Sequence, residues 1–355
     1  MSLASKAASV VFRGVSKAFG PVVAVDDVSF EVQPGHLITL LGPSGCGKTT
    51  TLRLIAGLEL PTAGQILIGE RDVTSLPATA RDVSMVFQSY ALFPHMTVAE
   101  NVAYGLVVSG MRKADARAKG EDGLALVGLE GYGDRLPSEL SGGQQQRVAV
   151  ARALVLEPEV ILFDEPLSNL DAKLRRHVRE EIRELQQRLG LTAIYVTHDQ
   201  GEALAVSDRI IVMNRAVIAQ EATPRELYEQ PLDRFVADFI GDANLVAAEI
   251  TAVDGELARV RIGPLERQLP RHGLDPGPAH VALRPERIAL GTEPRPDTIA
   301  GEVLKATYLG SHLEYTVATA LGELFVIDRQ VARALPPTTQ VAVGLDAAGM
   351  SLVRS

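Results

Sequence analysis

The stretch Gly42-Pro43-Ser44-Gly45-Cys46-Gly47-Lys48-Thr49-Thr50 constrains this chain more than any other. A short apolar run, His36 to Leu41, precedes it, and a helical pattern, Thr49 to Leu58, follows. Strand, glycine turn, lysine, hydroxyl and helix is the order in which backbone N–H groups and a helix N-terminus surround phosphate oxygens. In that arrangement Lys48 brings a positive charge to the phosphates, and the Thr49 hydroxyl ligates Mg²⁺. A second glycine-rich stretch, Leu140-Ser141-Gly142-Gly143-Gln144-Gln145-Gln146-Arg147, also reads as the start of a helix, with Ser141 as its cap. Two such starts leave one question open. Either the chain binds two nucleotides, or one nucleotide needs both stretches.

The surrounding pattern is that of an α/β protein. Residues 10–32 read as strands, with Val28, Phe30 and Val32 alternating with Ser29 and Glu31. Val160 to Phe163, Ala193 to Val196 and Arg209 to Met213 are short continuous apolar runs, as in strands buried on both faces. Helical segments separate them, which implies a parallel sheet. The clearest helix is 172–189, where Leu174, Val178, Ile182, Leu185 and Leu189 form one apolar stripe. Residues 97–135 read as a helical insert broken at Gly110, Gly120, Gly123 and Gly128. After about residue 240 prolines from Pro264 to Pro296, and Pro336-Pro337, punctuate short apolar stretches. That texture predicts a small β-barrel or sandwich, with a boundary near Gly241 to Asn244.

Composition narrows the function. The chain has 355 residues and a net charge of -9, which argues against nucleic acid as the main partner. No apolar run approaches the roughly 20 residues of a membrane span. Met1 to Val11 lacks the apolar core of a secretory signal. The single cysteine, Cys46, excludes an intrachain disulfide and fits a reducing compartment. A cytoplasmic protein is expected.

Five further residues carry candidate chemistry. Val160 to Glu165 is an apolar strand ending in two carboxylates, Asp164 and Glu165. At the C-terminal end of a parallel strand, Asp164 would hold Mg²⁺ through water and Glu165 would polarise an attacking water. The plain alternative is an Asp capping a helix. His198, after the strand 193–196, occupies the same kind of strand end and would contact a γ-phosphate; the alternative is an incidental loop histidine. Gln88 follows the strand-like Val83 to Phe87, where its amide oxygen would ligate Mg²⁺. Phe19, before Gly20, would stack on a base or fill a sheet core.

Phe19, the 42–50 loop, Gln88, Leu140 to Arg147, Asp164-Glu165, Ser168-Asn169-Leu170-Asp171 and His198 occur in the order that resembles an ABC transporter ATPase. The resemblance covers residues 10–235. It implies a P-loop ABC ATPase with a parallel-sheet core, an antiparallel β subdomain and a helical insert at about 89–157. The ATPase domain would span 8–240, and an all-β OB-like, transport-associated domain 241–355. It implies that Gly42 to Thr50 and Phe19 bind ATP, that Thr49, Gln88 and Asp164 hold Mg²⁺, and that Lys48, Gln88, Glu165 and His198 serve hydrolysis. It also implies an answer to the opening question. Two copies pack head to tail, and Ser141, Gly142, Gly143, Gln144 and Asp171 of one complete the nucleotide site of the other.

Ser89 to Val98 resembles the part of importer ATPases that meets a permease, with Phe93 and Met96 expected to be exposed. The implied partners are two permease subunits, an extracytoplasmic solute-binding protein and a second copy of this chain, at the cytoplasmic face of the inner membrane. Leu283-Arg284-Pro285-Glu286 and Tyr308-Leu309-Gly310-Ser311 resemble strand turns of the appended β domain. Gly241-Asp242-Ala243-Asn244-Leu245 and Ser168 to Asp171 look closest to ferric-iron importers. Spermidine/putrescine, 2-aminoethylphosphonate and sugar phosphates are alternative cargoes. A soluble ABC ATPase acting on nucleic acid or ribosomes is the rival reading, which the acidic balance and single cassette oppose.

Overall fold

The computed structural model describes residues 6–295 and 297–354. Residues 1–5 of the N-terminal segment, Pro296 and Ser355 lie outside the described residues. The chain divides into two compact units, with the division between Pro224 and Arg225.

In the first unit β1 (Val10–Phe19) and β2 (Val22–Val32) form a hairpin, and β3 (Leu37–Leu41) leads through the glycine loop into α1 (Lys48–Ala56). Then come β4 (Ala63–Ile68), β5 (Arg71–Asp72) and β6 (Val83–Val86), and the helices α2 (Val98–Val108), α3 (Lys113–Leu126) and α4 (Gly142–Leu154). The unit continues through β7 (Val160–Asp164), α5 (Ala172–Leu189), β8 (Thr192–Thr197), α6 (Gln200–Val206), β9 (Arg209–Asn214) and β10 (Val217–Ala222). One sheet is antiparallel, in the order β2-β1-β4-β5; the other has the order β10-β9-β3-β8-β7-β6. Strands β9, β3, β8, β7 and β6 of the second sheet run parallel, and β10 joins its edge antiparallel.

The parallel strands are largely apolar, with Thr39 and Ser84 among their buried exceptions, because both faces are covered. Ile38, Leu40, Leu162, Ile194 and Val196 pack with Leu52, Leu54 and Ile55 of α1 on one face. Leu37, Ile161, Phe163, Ala193 and Tyr195 pack with Ala149 and Val150 of α4, and with Val178, Ile182 and Leu185 of α5, on the other. Each fully buried aliphatic side chain of this kind contributes about 1.5–3 kcal/mol.

Helix α5 matches the range read from its stripe. Asp171 caps its start, and Gly190, in the left-handed region, ends it. Helix α1 stops at Ala56, short of the expected Leu58, because Gly57 turns left-handed and its N–H and that of Leu58 fold back on the Arg53 carbonyl. Helices α2, α3 and α4 build the expected insert around Val102, Leu106, Leu124, Leu140 and Val148. Gly120 and Gly123 do not break it. Both lie inside α3, where a Cβ on Gly123 would collide with Val155 and one on Gly120 would press on the Ala99 carbonyl at 3.3 Å. They are the price in helix propensity of a close helix–helix approach.

The second unit opens with the short helices α7 (Pro224–Glu229) and α8 (Arg234–Phe239). Its strands are β11 (Asn244–Asp254), β12 (Leu257–Ile262), β13 (Leu265–Pro270), β14 (Gly277–Leu283), β15 (Ile288–Gly291), β16 (Thr298–Tyr308), β17 (Leu313–Thr319), β18 (Gly322–Asp328), β19 (Gln340–Leu345) and β20 (Met350–Val353). They form two five-stranded antiparallel sheets, β13-β12-β11-β14-β20 and β15-β19-β16-β17-β18, around one core that includes Val260, Val281, Val303, Tyr315 and Val343. This is the expected all-β, OB-like unit. Arg284 ties the two helices to it, donating to the carbonyls of Tyr228, Ala237 and Ile240.

Gly64, in β4, is a sensitive point of the antiparallel sheet. Its φ is +87°, and a Cβ there would lie 2.6 Å from the Val15 Cα. Gly64→Ala is expected to destabilise the first unit by roughly 2–3 kcal/mol. Urea denaturation measures this, and an unchanged midpoint contradicts so tight a β1–β4 contact.

Candidate nucleotide site

The glycine loop leaves the buried strand β3 and enters α1 through Gly47, whose φ of 106° is left-handed. A Cβ at Gly47 would strike the Ala24 carbonyl, so only glycine fits. No side chain caps α1, and its first turn holds no acidic residue. The N–H groups of Lys48, Thr49 and Thr50 therefore have no partner within the helix, and they meet the positive end of its dipole.

Lys48 is only 5% exposed. Its ammonium donates to the Gly42 carbonyl at 2.7 Å and to the Pro43 carbonyl at 2.9 Å. An ammonium has three donors, and the third is held only by the weak acceptor Cys46 Sγ, so a phosphate oxygen would displace that contact most easily. Cys46 is buried in the core beneath the loop, with its Sγ 3.9 Å from Lys48 Nζ. Burial pushes its thiol upward, outweighing the attraction of Lys48, so it is not held as a thiolate.

The two carboxylates stand at the end of β7, separated from β3 only by β8. Asp164 lies within reach of the Thr49 hydroxyl and of Arg53, which sets it beside the glycine loop and α1. Burial and the neighbouring Glu165 push its carboxyl up, against the pull of Arg53 and Thr49. Glu165 has a φ of 44°, in the left-handed region. Such a conformation costs a residue with a Cβ about 1–2 kcal/mol. The Glu165 N–H donates to the Val196 carbonyl at 3.0 Å, which pins the turn to β8. Its Oε2 then lies 3.2 Å from His198 Nδ1. His198 is thus paired rather than incidental.

Sequence reading missed the support behind His198. Glu202, buried in α6, accepts from the Tyr195 hydroxyl at 3.0 Å and the Thr197 hydroxyl at 2.8 Å. Burial pushes the Glu202 carboxyl up. Asp199 caps α6 by accepting from the Glu202 N–H at 2.9 Å. The spacing Asp199-x-x-Glu202 is a legible helix-start signal. Its consequence for His198 depends on β8 and is not local.

Gln88 follows β6 at the same edge, with an exposed side chain; its carbonyl accepts from Asn169 Nδ2 at 2.9 Å. Phe19, at the end of β1, is 46% exposed and so is no core residue; Lys17 Nζ stands 4.6 Å from its ring centre. Ser141 caps α4 as expected, in a reciprocal pair: the Gln144 N–H donates to its hydroxyl at 3.4 Å, and its own N–H donates to Gln144 Oε1 at 2.9 Å. A Cβ on Gly143 would lie 2.9 Å from Leu174, so this glycine also serves packing. Asp171 accepts from the N–H groups of Lys173 and Leu174. Phe93 and Met96 are half-buried, not exposed as expected. Phe93 packs at a tilt against Tyr104 with ring centres 4.7 Å apart, and the buried Asn101 binds the Phe93 and Met96 backbone.

One copy therefore gathers Lys48, Thr49, Gln88, Asp164, Glu165 and His198 along the carboxyl ends of its parallel strands. The second glycine stretch makes no described hydrogen bond or ion pair to these residues: Ser141 and Gln144 bond each other, and Gly142 faces Leu170.

Residues 25–168 match the ABC transporter family, and residues 281–353 match the TOBE domain. The chain is 63% identical to the Fe(3+) ions import ATP-binding protein FbpC 1 of Rhizobium meliloti, covering 97% of this chain and 98% of that one. It is 50% identical to the Fe(3+) ions import ATP-binding protein FbpC of Vibrio cholerae, covering 87% of each. Among solved structures it resembles a dimeric ATP-binding cassette in a post-hydrolysis state bound to ADP and Pi. That match has a TM-score of 0.54 and 32% identity, and covers 61% of this chain and 99% of the other. A dimeric bacterial ABC transporter cassette matches at a TM-score of 0.55 and 31% identity over the same shares.

The upward shift of Asp164 has a stability consequence. Above its ordinary pKa the unfolded chain releases a proton that the folded chain retains, so this group loses stability as pH rises through that window. Asp164→Asn, which keeps an acceptor for Thr49, is expected to melt at a higher temperature than the parent at neutral pH without nucleotide. A calorimetric scan at pH 5 and pH 8 checks it: the gain should be larger at pH 8, and equal or reversed gains contradict the assignment.

Proposed function

The chain belongs to the ATP-binding proteins of ABC transporters, and from that premise we propose that it hydrolyses ATP to drive ferric-iron import through a membrane permease. The observation that carries the residue assignment is the Glu165–His198 pair, at 3.2 Å beside the glycine loop. The near-full-length likeness to the Rhizobium meliloti protein supports the cargo.

In this reading the loop Gly42 to Thr50 and the Lys48 ammonium bind the β- and γ-phosphates, and Phe19 stacks on the adenine. Thr49, Gln88 and, through water, Asp164 hold Mg²⁺. These are oxygen donors of the class that suits a hard cation. No group of three or more His, Cys, Asp or Glu that could hold a metal occurs among the described residues, so the remaining ligands fall to phosphate oxygens and water. When bound, the ion neutralises charge on the transferring phosphoryl group. Glu165 accepts a proton from the attacking water as the bond from the γ-phosphorus to its bridging oxygen breaks. His198 holds Glu165 and the γ-phosphate side of the site in register.

The site is completed by a second copy, whose Ser141, Gly142, Gly143, Gln144 and Asp171 face the γ-phosphate. The likeness to dimeric cassettes supports this. We assign the ATPase domain to 8–240 and the regulatory β domain to 241–355 as units of sequence, although α7 and α8 pack with the second compact unit, which begins at Arg225. No helix among the described residues is long and apolar enough to cross a membrane. The chain would work as a peripheral dimer on the cytoplasmic face of the inner membrane, under two permease subunits served by a solute-binding protein.

Glu165→Gln is expected to cut hydrolysis by about 10²–10⁴-fold while ATP binding persists and the dimer accumulates with ATP. Phosphate release and size-exclusion chromatography read this out, and normal turnover removes Glu165 from its role. For the cargo, the chain is reconstituted in vesicles with its permease subunits and binding protein. Uptake of radiolabelled ferric iron should require ATP on the side of this chain. Uptake of another solute with none of iron overturns the cargo.

A further inference from the structure

The turn that carries Gln88 is held from outside itself. After β6, the Tyr90 N–H folds back to the Phe87 carbonyl at 2.9 Å. Tyr90 and Ala91 are then two consecutive non-glycine residues in the left-handed region, with φ of 61° and 49°. Nothing local favours that conformation in residues with a Cβ. Both carbonyls point to one guanidinium. Arg152 Nη2 donates to the Tyr90 carbonyl at 2.8 Å, and Arg152 Nη1 donates to the Ala91 carbonyl at 2.7 Å. Among the described ion pairs none involves Arg152, so its fork is committed to this backbone. Arg152 lies near the end of α4, the helix that Ser141 caps.

We propose that Arg152 is a positioning residue that fastens the Gln88 turn to α4, so that the Ser141 end of that helix and the Gln88 amide move as one body. Asn169, which lies between Glu165 and Asp171, binds the Gln88 carbonyl from the other side. A planar fork is suited to two adjacent carbonyls; a lysine ammonium is a point donor that does not span both in the same way. This proposal rests on the reading of Gln88 as a Mg²⁺ ligand, and the test separates the two.

Arg152→Lys keeps the charge and most of the packing, and Gln88→Ala removes the amide alone. In the full-length Arg152→Lys protein, hydrogen exchange of the amides in 87–92 is expected to rise about tenfold, the loss of roughly one net hydrogen bond, while exchange in α2 stays unchanged. The Mg²⁺ concentration for half-maximal hydrolysis should rise about tenfold. Binding of a fluorescent ATP analogue without Mg²⁺ should not change. In the Gln88→Ala background, Arg152→Lys should add nothing further to the Mg²⁺ requirement. Unaltered exchange at 87–92, an equal rise in α2, or an effect that adds fully to that of Gln88→Ala each overturn the proposal. If Gln88→Ala alone leaves the Mg²⁺ requirement unchanged, the metal role of Gln88 falls, and the exchange result then decides the fastening by itself.

Discussion

A parallel sheet covered on both faces leaves only its strand ends for polar chemistry. Here α1 seals one face, and α4 and α5 seal the other. The polar groups carried by these strands therefore collect where β3, β6, β7 and β8 end. The glycine loop, Gln88, Asp164-Glu165 and His198 come from four strands whose order the sheet fixes. Their neighbourhood follows from hydrogen-bonded register: Asp164 stands opposite Val196, two residues before His198.

The same edge is where the backbone departs from its preferred conformations. Glu165, Tyr90 and Ala91 are left-handed without being glycine. Each is held by hydrogen bonds from elsewhere in the unit: Glu165 by Val196, and the Tyr90–Ala91 pair by Arg152. Local strain of this kind survives only when neighbouring structure over-determines it. It also links parts of the unit that must respond together. Arg175, on α5, reaches the Leu170 carbonyl at 3.1 Å and Asp199 at 3.5 Å, bridging the segment before Asp171 and the one after His198.

Much of this was legible in the sequence because the signals were local. Strand β3 announces itself by a short run that is apolar but for Thr39, and α5 by its stripe between a capping Asp171 and a terminating Gly190. The site residues were legible as strand-end positions in a fixed order. What escaped depends on partners that the local pattern does not identify, some near in the chain and some far along it. Gly120 and Gly123 look like breaks until α2 and Val155 are set against them. Glu202 gains its meaning from Tyr195 and Thr197 on the preceding strand β8, and Arg152 from residues more than 60 positions away. Phe93 and Met96 read as exposed because nothing in the local pattern shows Asn101 drawing their backbone inward.

The two glycine-rich stretches differ in a way that bears on how a dimer could open. Helix α1 has no side-chain cap, so its whole first turn is available to a ligand. Helix α4 has a cap: Ser141 and Gln144 satisfy one another, which leaves the N–H groups of Gly142 and Gly143 as its free donors. With Lys48 beside it, the first stretch has the stronger field and the larger donor set. The second has a helix dipole and fewer donors, and in the proposed dimer it would reach the phosphates from a different subunit. A strong half that retains nucleotide and a weak half that depends on one terminal phosphate is an asymmetric clamp. Losing that phosphate removes the differential contact of the weak half first. Binding energy would then stay with the subunit that holds the nucleotide, while closure of the pair would follow the state of hydrolysis.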